Sequence, residues 1–421
     1  MTGTTGLTEL DFRRMKARSV IAECHQLAAM SEESGRTTRR FLTPPVADVH
    51  SHLGARMTAL GMSVTVDAAG NLRGLWQPAV TARLVLGSHI DTVPDAGAYD
   101  GVLGVVLALE LVEQAQREAL PLAIEVIAFS EEEGVRFGVP FIGSRAVAGR
   151  FDPGLLALRD ADGVSLEGAL RRFGLDPAGL HEAQVGADAI GFLEIHIEQG
   201  PVLEAEDLSL AVVTAIAGQT RLEITFTGQA NHAGTTPMHL RQDAVAAAAE
   251  WISAVESMAR CHAGPSSMVA TVGKVLVEPN AGNVIAGKAS VSLDVRSDRD
   301  AVRDAAVEEL LSKAESIAMR RGVLSASKVQ MEQPAVPMDE QFTAVLGECV
   351  EAAGHRPRVM PSGAGHDAMV MATRLPTAML FLRSPGGISH HPAESVREQD
   401  VAAALHAATI FLRRIAQTFH I

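Results

Sequence analysis

Short apolar runs that end in polar or glycine-rich loops alternate with helix-like segments through the first half of the chain. The runs RLVLGSHID, LAIEVIAFSEEE and AIGFLEIHIEQG have strand character, and GVLGVVLALELVEQAQRE has the length and pattern of a helix. Such alternation is typical of α/β proteins, in which helices pack on a largely parallel sheet. Ligands bind beside the carboxyl ends of strands in these sheets, so the polar residues that close each run are candidate site residues.

The pattern changes near Thr214, where a self-contained block begins. It contains a strand (RLEITFTG), a helix (RQDAVAAAAEWISAVESMAR), two strands (MVATVGKVLVE and KASVSLDVRS), a second helix (RDAVRDAAVEELLSKAESIAMRR) and a closing strand near Lys328–Gln333. This order is that of a ferredoxin-like α+β unit. We therefore predict an α/β domain with a mixed sheet, formed by residues 1–213 and 335–421, into which a lid and dimerisation domain of residues 214–334 is inserted.

Composition limits the classes of partner. The chain has 421 residues, a net charge of −14, one Tyr and two Trp. The negative charge argues against binding to the phosphate backbone of a nucleic acid, and the few aromatic residues argue against base stacking. No apolar run reaches the roughly 20 residues that a membrane span needs. The first 30 residues resemble a polar tail and an amphipathic helix rather than a signal peptide. The three cysteines, Cys24, Cys261 and Cys349, form no CxxC pair, and a reducing cytoplasm fits them best.

Five potential metal ligands lie in phrases punctuated by glycine or proline. The phrases GSHIDTVPDAGAYDG, FSEEEGVRFG, FLEIHIEQGP and GGISHHPAE supply three imidazoles and two carboxylates. These candidates are His89, Asp100, Glu133, His196 and His390. Such a set is enough for two divalent cations, and a pair of cations about 3.5–4 Å apart is typical of assisted hydrolysis.

The first phrase offers two ligands and a supporting residue. His89 and Asp91 form an HxD pair, in which the carboxylate could accept the ring N–H that does not face the metal. Asp100 precedes Gly101, so it could be an ordinary turn residue, but its two oxygens also suit a bridge between two cations. The shared phrase favours the bridging interpretation.

The second phrase contains three consecutive acids, Glu131, Glu132 and Glu133, which could form a solvated turn. Because they follow an apolar strand directly, we expect at least one carboxylate to point into the site. Metal-assisted hydrolysis needs one carboxylate that binds the metal and a neighbour that moves a proton. We assign Glu133 to the metal and Glu132 to general base and acid catalysis.

The two remaining phrases leave alternatives open when taken alone. His196 alternates with apolar neighbours, as a core histidine would. His390 and His391 are adjacent and point in different directions, and the residues alone do not select between them.

The phrases resemble those of the hydantoinase/carbamoylase family of metal-dependent amidohydrolases, which are relatives of the aminoacylase and carboxypeptidase G type enzymes. Besides the four phrases above, ANHAGTTPM, PNAGNVI, LDVRS and SGAGHDA occur in the family's order, between about Gly87 and Glu394. The resemblance implies the same five ligands, with Asp100 bridging, His390 rather than His391 as the last one, and Glu132 as the catalytic carboxylate. Glu131 is a departure, since the family usually has Asn or a small residue there.

The resemblance also implies how substrate is recognised. Residues with an implied substrate contact are Gln199, His232, Asn283, Arg296 and the backbone around Gly363 to Gly365. Arg296 would hold a substrate carboxylate through two parallel hydrogen bonds. His232 would donate to the developing oxyanion from the lid of a partner subunit, so a homodimer with composite sites is expected.

The predicted function is hydrolysis of the ureido C–N bond of an N-carbamoyl-L-amino acid, which releases the amino acid, ammonia and carbon dioxide. Allantoate is the nearest alternative substrate, followed by the substrates of β-ureidopropionases and of aminoacylases or dipeptidases. A protein that binds amino acids without catalysis is a further alternative, although it would be expected to lose Glu132 or a ligand first. The mixed ligand set suits Zn²⁺, Mn²⁺, Co²⁺ or Ni²⁺.

Overall fold

The computed structural model describes residues 9–78, 80, 82–261 and 268–418, so the predicted N-terminal tail lies outside the described residues. The chain divides into two compact units. The first contains the described residues up to Thr214, then Met338–Met360, and the described residues from Gly365 onward. The second contains Ala215–Pro337 and Pro361–Ala364. Among the described helices, none combines the length and apolar character that a bilayer span requires.

The first unit begins with helices and strands in alternation. Its elements before the second unit are α1 (Glu9–Ala28), α2 (Pro44–Ala59), β1 (Ser63–Val66), β2 (Leu72–Trp76), β3 (Arg83–His89), α3 (Val102–Arg117), β4 (Ala123–Phe129), α4 (Ile142–Val147), α5 (Leu166–Arg172), β5 (Ala189–Ile197), α6 (Val202–Ala205) and β6 (Leu210–Ile216), the last of which runs across the boundary. Short 3₁₀ turns occupy Pro153–Ala157 and Pro177–Ala183.

The second unit has the predicted order of its main elements, with one strand divided and three unpredicted two-residue strands among the described residues. Its elements are β7 (Gly218–Thr227), β8 (Asn231–His232), α7 (Ala244–Cys261), β9 (Met268–Thr271), β10 (Val275–Glu278), β11 (Val284–Ile285), β12 (Lys288–Ser297), α8 (Asp300–Arg321), β13 (Leu324–Gln333) and β14 (Val336–Pro337). The run MVATVGKVLVE forms two short strands rather than one, and Gly273, which has no side chain to pack, lies between them.

The chain then completes the first unit. These elements are α9 (Glu340–Ala352), β15 (Arg358–Ser362), α10 (Asp367–Met371), β16 (Thr377–Leu382) and α11 (Glu398–Thr418).

The sheet of the first unit is mixed. Its strand order is β1-β2-β4-β3-β5-β16-β6, and β15 pairs with β6. The four central strands β4, β3, β5 and β16 are parallel, whereas β2 and β6 join them antiparallel. Parallel strands need covered faces, and the runs of buried residues along β4 and β16 show that these strands are covered on both sides. This arrangement confirms the predicted α/β fold with a mixed sheet.

The parallel direction determines where the polar phrases meet. His89 is the last residue of β3, and the acidic run follows β4 directly. His196 is the penultimate residue of β5, and His390 follows β16. Because the carboxyl ends of parallel neighbours lie at the same edge of a sheet, these phrases are brought together there.

The large core of the first unit packs α1, α3, α9 and α11 with the sheet strands. Helix α3 carries twelve buried residues, among them Leu103, Val106 and Leu107, which explains its almost continuous apolar sequence. This core fixes the strands from which the site residues project.

The second unit has its own core and an antiparallel sheet. The strand order is β10-β12-β7-β13, with β9 also paired to β12, and α7 and α8 cover one face. Trp251 of α7 is fully buried in that core, and its indole N–H donates to the carbonyl of Leu310 at 2.8 Å. On the other face polar residues of β7 and β12 alternate with the buried ones.

Candidate metal centre

The five predicted ligands form two groups that share one member. His89, Asp100 and His196 make the first group, and Asp100, Glu133 and His390 make the second. Within each group, the potential ligand atoms lie within 4.8 Å of one another. Three imidazoles and two carboxylates from widely separated phrases are therefore brought into one small volume.

Asp100 faces both groups with its two carboxylate oxygens. Oδ1 lies 3.6 Å from His89 Nε2 and 3.2 Å from His196 Nε2, whereas Oδ2 lies 3.2 Å from His390 Nε2. Burial opposes ionisation of this carboxyl, but His196, His390 and His89 hold its pKa well below the ordinary value. An ionised carboxylate that presents a separate oxygen to each group has the arrangement that a bridging ligand requires.

Backbone carbonyls orient the two buried imidazoles. His89 Nδ1 lies 3.0 Å from the carbonyl oxygen of Asp91, and His196 Nδ1 lies 2.9 Å from that of Ile197. If a cation replaces the Nε2 proton, each Nδ1–H can still donate to its carbonyl, and the lone pair of Nε2 is available to the cation. Metal-binding histidines in proteins commonly use their second ring nitrogen in this way.

The expected hydrogen bond from the His89 ring to the Asp91 carboxylate is not found. The nearest carboxylate oxygen of Asp91 is 3.7 Å from His89 Nδ1. This carboxylate instead accepts the backbone N–H groups of Glu132 at 2.9 Å and of Glu133 at 3.1 Å. Asp91 therefore orients the acidic loop with its side chain and His89 with its backbone carbonyl.

The three consecutive acids have different surroundings. Glu133 Oε1 lies 3.4 Å from His390 Nε2, and Glu132 forms a further ligand-capable group with His89 and Glu133. Glu131 bonds within its own loop, since its Oε1 accepts the backbone N–H of Arg136 at 3.1 Å. This geometry favours the assignment of Glu132 and Glu133 to the site and of Glu131 to the loop.

Burial makes the acidic loop receptive to protons. Desolvation raises the pKa of Glu132 well above its usual value, and the nearby charge of Glu133 adds to this effect. Desolvation and the charge of Asp100 raise the pKa of Glu133 to about 7. A carboxylate whose pKa is raised is a better base for a proton near neutral pH.

The donor set fits divalent cations. Asp100 Oδ1 and Glu133 Oε1 are buried oxygens without a hydrogen-bond partner in the described part of the chain. An unpaired buried carboxylate oxygen is costly, and a cation held by both ligand groups would satisfy it. Mixed imidazole and carboxylate ligands suit first-row transition metals.

The structure distinguishes the two adjacent histidines. His390 points toward Asp100 and Glu133 and is half exposed, while the Nδ1 of the exposed His391 accepts the backbone N–H of Ala393 at 3.1 Å. His390 has a φ of 55°, a left-handed conformation that is uncommon for residues other than glycine. Local strain of this kind is frequent at functional sites.

The side-chain amide of Gln199 contacts one candidate metal ligand and the residue that precedes another. Its Nε2 lies 3.1 Å from Asp100 Oδ2 and 3.0 Å from the hydroxyl oxygen of Ser389. Its Oε1 is buried and has no hydrogen-bond partner among the described residues. This acceptor is therefore available to a ligand that carries an N–H group.

The sequence-based interpretation missed the support of the acidic loop by Asn71. Asn71 Oδ1 accepts the backbone N–H of Ser130 at 3.0 Å, and Nδ2 donates to the carbonyl of Gly143 at 3.2 Å. A Cβ atom at Gly143 would lie 2.2 Å from Asn71 Oδ1, so only glycine allows this approach. The phrase DAAGNLRG at the start of β2 indicates a turn, but it does not specify the partner of Asn71.

A second set of buried acids lies beside the ligands and was also missed. Glu194 is two residues before His196 in the same strand, so strand alternation places both on one face. Its oxygens accept from the Ser88 hydroxyl at 2.8 Å and from the backbone N–H of Ala368 at 2.8 Å. Asp367 is also fully buried. Desolvation is the main cause that raises its pKa well above the ordinary value, and the nearby charge of Glu194 adds to it.

His232 and Asn283, two of the predicted substrate contacts, lie in the second unit on adjoining segments. The strand β8 that contains His232 pairs with β11, and the N–H of Ala233 donates to the carbonyl of Asn283 at 2.9 Å. His232 Nδ1 accepts the backbone N–H of Gly234 at 3.0 Å, which leaves Nε2 as the protonated nitrogen of the neutral ring. The exposed His232 therefore offers an N–H donor at its outer edge.

Arg296 is held by its own sheet. Its Nε and Nη2 each donate to Asp294 at 3.0 Å, and its Nη1 donates to the carbonyl of Gly363 at 2.7 Å. The guanidinium has five N–H donors, so part of its fork is left for another acceptor. Gly365 belongs to the first unit, where an added Cβ would lie 2.8 Å from the Phe141 ring.

Comparison with known proteins assigns the family. The model of peptidase family M20/M25/M40 matches residues 85–414, which include all five candidate ligands. The chain belongs to this family. Members of the M20 group depend on metal ions, in agreement with the ligand groups of the site.

The relatives narrow the class within the M20 family. The chain is 36% identical to allantoate deiminase of Arabidopsis thaliana, with 97% of this chain and 85% of the relative covered. It is 38% identical to N-carbamoyl-L-amino acid amidohydrolase of Geobacillus stearothermophilus, with 92% and 95% covered. A crystal structure of a hydantoinase/carbamoylase family amidase from Burkholderia multivorans matches with a TM-score of 0.89 and 32% identity, over 95% of this chain and 98% of that one. The M20 protein is an amidohydrolase of the hydantoinase/carbamoylase type.

Proposed function

We propose that this amidohydrolase uses two divalent cations to hydrolyse the ureido C–N bond of an N-carbamoyl-L-amino acid. The observation that carries the proposal is the pair of ligand groups that share Asp100, with Glu132 placed beside His89 and Glu133. One cation would be held by His89, Asp100 and His196. The other would be held by Asp100, Glu133 and His390.

The cations would supply Lewis acidity, which makes a water acidic near neutral pH and polarises the ureido carbonyl. Glu132 takes the proton of the attacking water. It later returns this proton to the departing nitrogen, which leaves as ammonia after the C–N bond breaks. The carbamate that forms then loses carbon dioxide and releases the amino acid.

Three features of Glu132 support its role in proton transfer. Its backbone N–H is fixed by Asp91 at 2.9 Å, and its side chain is buried. In the cation-free protein desolvation raises its pKa, and a carboxylate of raised pKa is suited to accept a proton near neutral pH. It is also adjacent to Glu133, a ligand candidate, so the proton carrier and a proposed metal ligand lie on the same loop.

Substrate recognition is proposed for residues of both units. Gln199 Oε1 lacks a partner among the described residues and would accept an N–H of the ureido group. Arg296 of the second unit would bind the substrate carboxylate, and His232 Nε2–H would donate to the oxyanion that develops on the carbonyl. Asn283, Gly363 and Gly365 would complete the contacts. In this proposal the second unit is a lid, and His232 comes from the lid of the partner in a homodimer.

Allantoate is the second candidate substrate. It carries a carboxylate and ureido groups, and a relative named allantoate deiminase aligns with 97% of this chain. The contacts proposed for Arg296 and Gln199 serve either compound. A direct comparison of turnover is therefore required to choose between them.

The test is ammonia release by manganese-loaded protein. The panel contains N-carbamoyl-L-amino acids, their D-enantiomers, N-carbamoyl-β-alanine and allantoate, with N-acetyl amino acids and dipeptides as controls. We expect the highest kcat/KM for an N-carbamoyl-L-amino acid. Preference for allantoate would select the second candidate, and cleavage of dipeptides alone would contradict the proposed ureido specificity.

A further inference from the structure

Glu394 is a buried carboxylate outside the ligand set that connects two of the ligand-bearing loops. Its Oε1 accepts the backbone N–H of Tyr99 at 2.9 Å and that of Asp100 at 3.0 Å. Its Oε2 lies 3.3 Å from the hydroxyl oxygen of Ser389, the residue before His390. A Cβ atom at Gly97 would lie 2.4 Å from the Glu394 side chain, so the loop before Asp100 is closely packed against this carboxylate.

The hydroxyl of Ser389 lies between two carboxylates but has only one proton to donate. Its oxygen is 3.2 Å from Asp100 Oδ2 and 3.3 Å from Glu394 Oε2. The same oxygen accepts a hydrogen bond from Gln199 Nε2 at 3.0 Å. This bond fixes the position of the oxygen but gives Ser389 no second proton to donate. The Ser389 proton can therefore point to Asp100 or to Glu394, and a rotation of the hydroxyl exchanges the two arrangements.

Asp100 Oδ2 is the oxygen that faces the second ligand group. It lies near Gln199 Nε2, Ser389 Oγ and His390 Nε2, all at 3.1 to 3.2 Å. A carboxylate oxygen has two lone pairs in its plane, so these neighbours already compete for it. A cation bound by Asp100, Glu133 and His390 requires one of these lone pairs.

We propose that Glu394 is a positioning residue that accepts the Ser389 proton and so releases Asp100 Oδ2 for the second cation. This inference rests on the proposed use of two cations. The first cation would use Asp100 Oδ1, which Ser389 does not contact, so only the second depends on Glu394. No covalent bond forms or breaks in the exchange, which consists of a hydroxyl rotation.

The substitution Glu394→Gln isolates this effect because the orientation of the new amide is imposed. Two backbone N–H groups face the position of Oε1, so the amide oxygen must occupy it and the NH₂ group must face Ser389. The amide then donates to the Ser389 oxygen and cannot accept its proton. The hydroxyl proton is directed to Asp100 Oδ2, where it competes with the second cation.

The experiment is a titration of chelator-stripped protein with Co²⁺, followed by calorimetry and by visible absorption. We expect Glu394→Gln to bind the first cation as the wild type does and the second about 10- to 100-fold more weakly, the usual effect of altering a residue that supports a metal ligand. The double variant Glu394→Gln, Ser389→Ala lacks the competing proton. It should recover second-cation affinity to within about twofold of Ser389→Ala alone, a level comparable to the usual additivity error.

A merely structural role for Glu394 predicts a different result, since the losses in the double variant would then add. Unchanged second-cation affinity in Glu394→Gln, or no recovery in the double variant, would overturn the inference. If Glu394→Gln does not fold, Glu394→Asp carries the same prediction. Its side chain is shorter by one methylene, which moves the carboxylate away from the Ser389 hydroxyl. Glu198→Gln is the control for general destabilisation. Glu198 is a buried carboxylate outside the ligand set whose two oxygens accept the N–H groups of Val202 and Leu203 separately, so its amide loses one of these bonds without altering Ser389.

The titration separates failure of this inference from failure of the proposed function. A wild type that binds two Co²⁺ ions and cleaves no ureido acid would contradict the proposed substrate and leave the role of Glu394 to be decided by the variants. A wild type that binds one Co²⁺ ion would overturn both the second site and the role of Glu394.

Discussion

The candidate metal centre and the candidate recognition residues of the second unit differ in how far the protein has already arranged them. The ligands Asp100 and His196 are almost fully buried, and the imidazole is oriented by a backbone carbonyl. His232 and Asn283 are exposed, and their contacts are with neighbours in their own loops. The first region is buried and organised before any ligand binds, whereas the second presents exposed donors that are held by contacts within their own unit.

This difference separates the energetic roles that the two regions can have. Buried charges without matched partners are costly, so we expect the candidate metal centre to gain stability when a cation binds. Exposed side chains carry little such cost and contribute mainly through the bonds they make to substrate. Substitutions in the first region should therefore change metal content or kcat, and substitutions in the second should change KM.

The largest effect is expected from Asp100→Ala, because this residue belongs to both ligand groups. We expect both cations to be lost and activity to fall to that of wild-type protein stripped of metal by a chelator. His390→Ala, which removes a member of the second group only, should retain one cation. Metal analysis by mass spectrometry after dialysis checks both variants, and two cations retained by Asp100→Ala would contradict the shared site.

Glu132→Gln should follow, with a loss in kcat of about 10²- to 10⁴-fold, the range attributed to a positioned general acid or base. The amide keeps the shape of the side chain but cannot take a proton from water. Two cations and an unchanged melting temperature are expected, since Glu132 is outside the two proposed ligand groups. Near-normal turnover in this variant would exclude the proton-transfer role.

The meeting of three candidate ligands at one sheet edge was predictable from the residues, whereas the choice of His390 over His391 came from the family resemblance. His89, Glu133 and His196 end apolar runs, and parallel neighbours must place such ends together. The fold class and the amidohydrolase class are confirmed by the mixed sheet and by the relatives. The separate assignments of ligands, catalytic groups and domain boundaries stay predictions.

Hydrogen bonds that join distant phrases could not be predicted in the same way. Asn71 and Glu394 act on loops that are far from them in sequence, 59 residues away for Ser130 and 294 for Asp100. Neither residue type at these positions has a local pattern that specifies its partner. The role of the Asp91 side chain was also misassigned, because a carboxylate two residues from a histidine can face either the ring or a neighbouring loop.

Arg296→Lys tests the recognition side of the comparison. Lysine retains the charge but loses the planar fork, so the proposed paired bonds to a carboxylate cannot form. We expect KM for the best ureido acid to rise about 10- to 100-fold, in line with the free energy of hydrogen bonds to charged groups, while metal content is unchanged. Steady-state kinetics on the N-carbamoyl substrate and on its carboxamide analogue give the check: the carboxamide should lose much less than the acid.

The pH dependence of metal binding tests whether cations replace the protons bound to Glu133 and His390 in the candidate metal centre. Desolvation raises the pKa of Glu133 from 4.5 to about 7, and the Asp100 carboxylate raises that of His390 from 6.5 to about 8. In protein stripped of metal by a chelator, both groups bind their protons more tightly in the folded state than in the unfolded state. Their stabilising contributions are complete below the unfolded pKa values and are lost as the pH rises through about 7 and 8.

Cations must displace these protons, so apparent affinity should rise with pH by roughly tenfold per pH unit for each proton displaced. We expect the increase in melting temperature on addition of Mn²⁺ to be larger at about pH 8 than at about pH 6. Scanning fluorimetry of chelated and loaded samples at each pH provides the measurement. A shift that is equal or larger at the lower pH would show that these groups are not the ones the cations replace.

The smallest effect is expected from Arg221→Ala, which controls for charge in the second unit. Arg221 lies opposite Asp294 in the sheet and donates to it at 2.9 Å, so it shares the acid that orients Arg296. The pair is exposed, and such pairs contribute about 0–1 kcal/mol, which corresponds to at most roughly fivefold in KM. Asp294 retains its two bonds to Arg296 in this variant, so the fork should keep its orientation. A rise in KM that equals that of Arg296→Lys would mean that overall positive charge, rather than the fork of one arginine, recognises the substrate carboxylate.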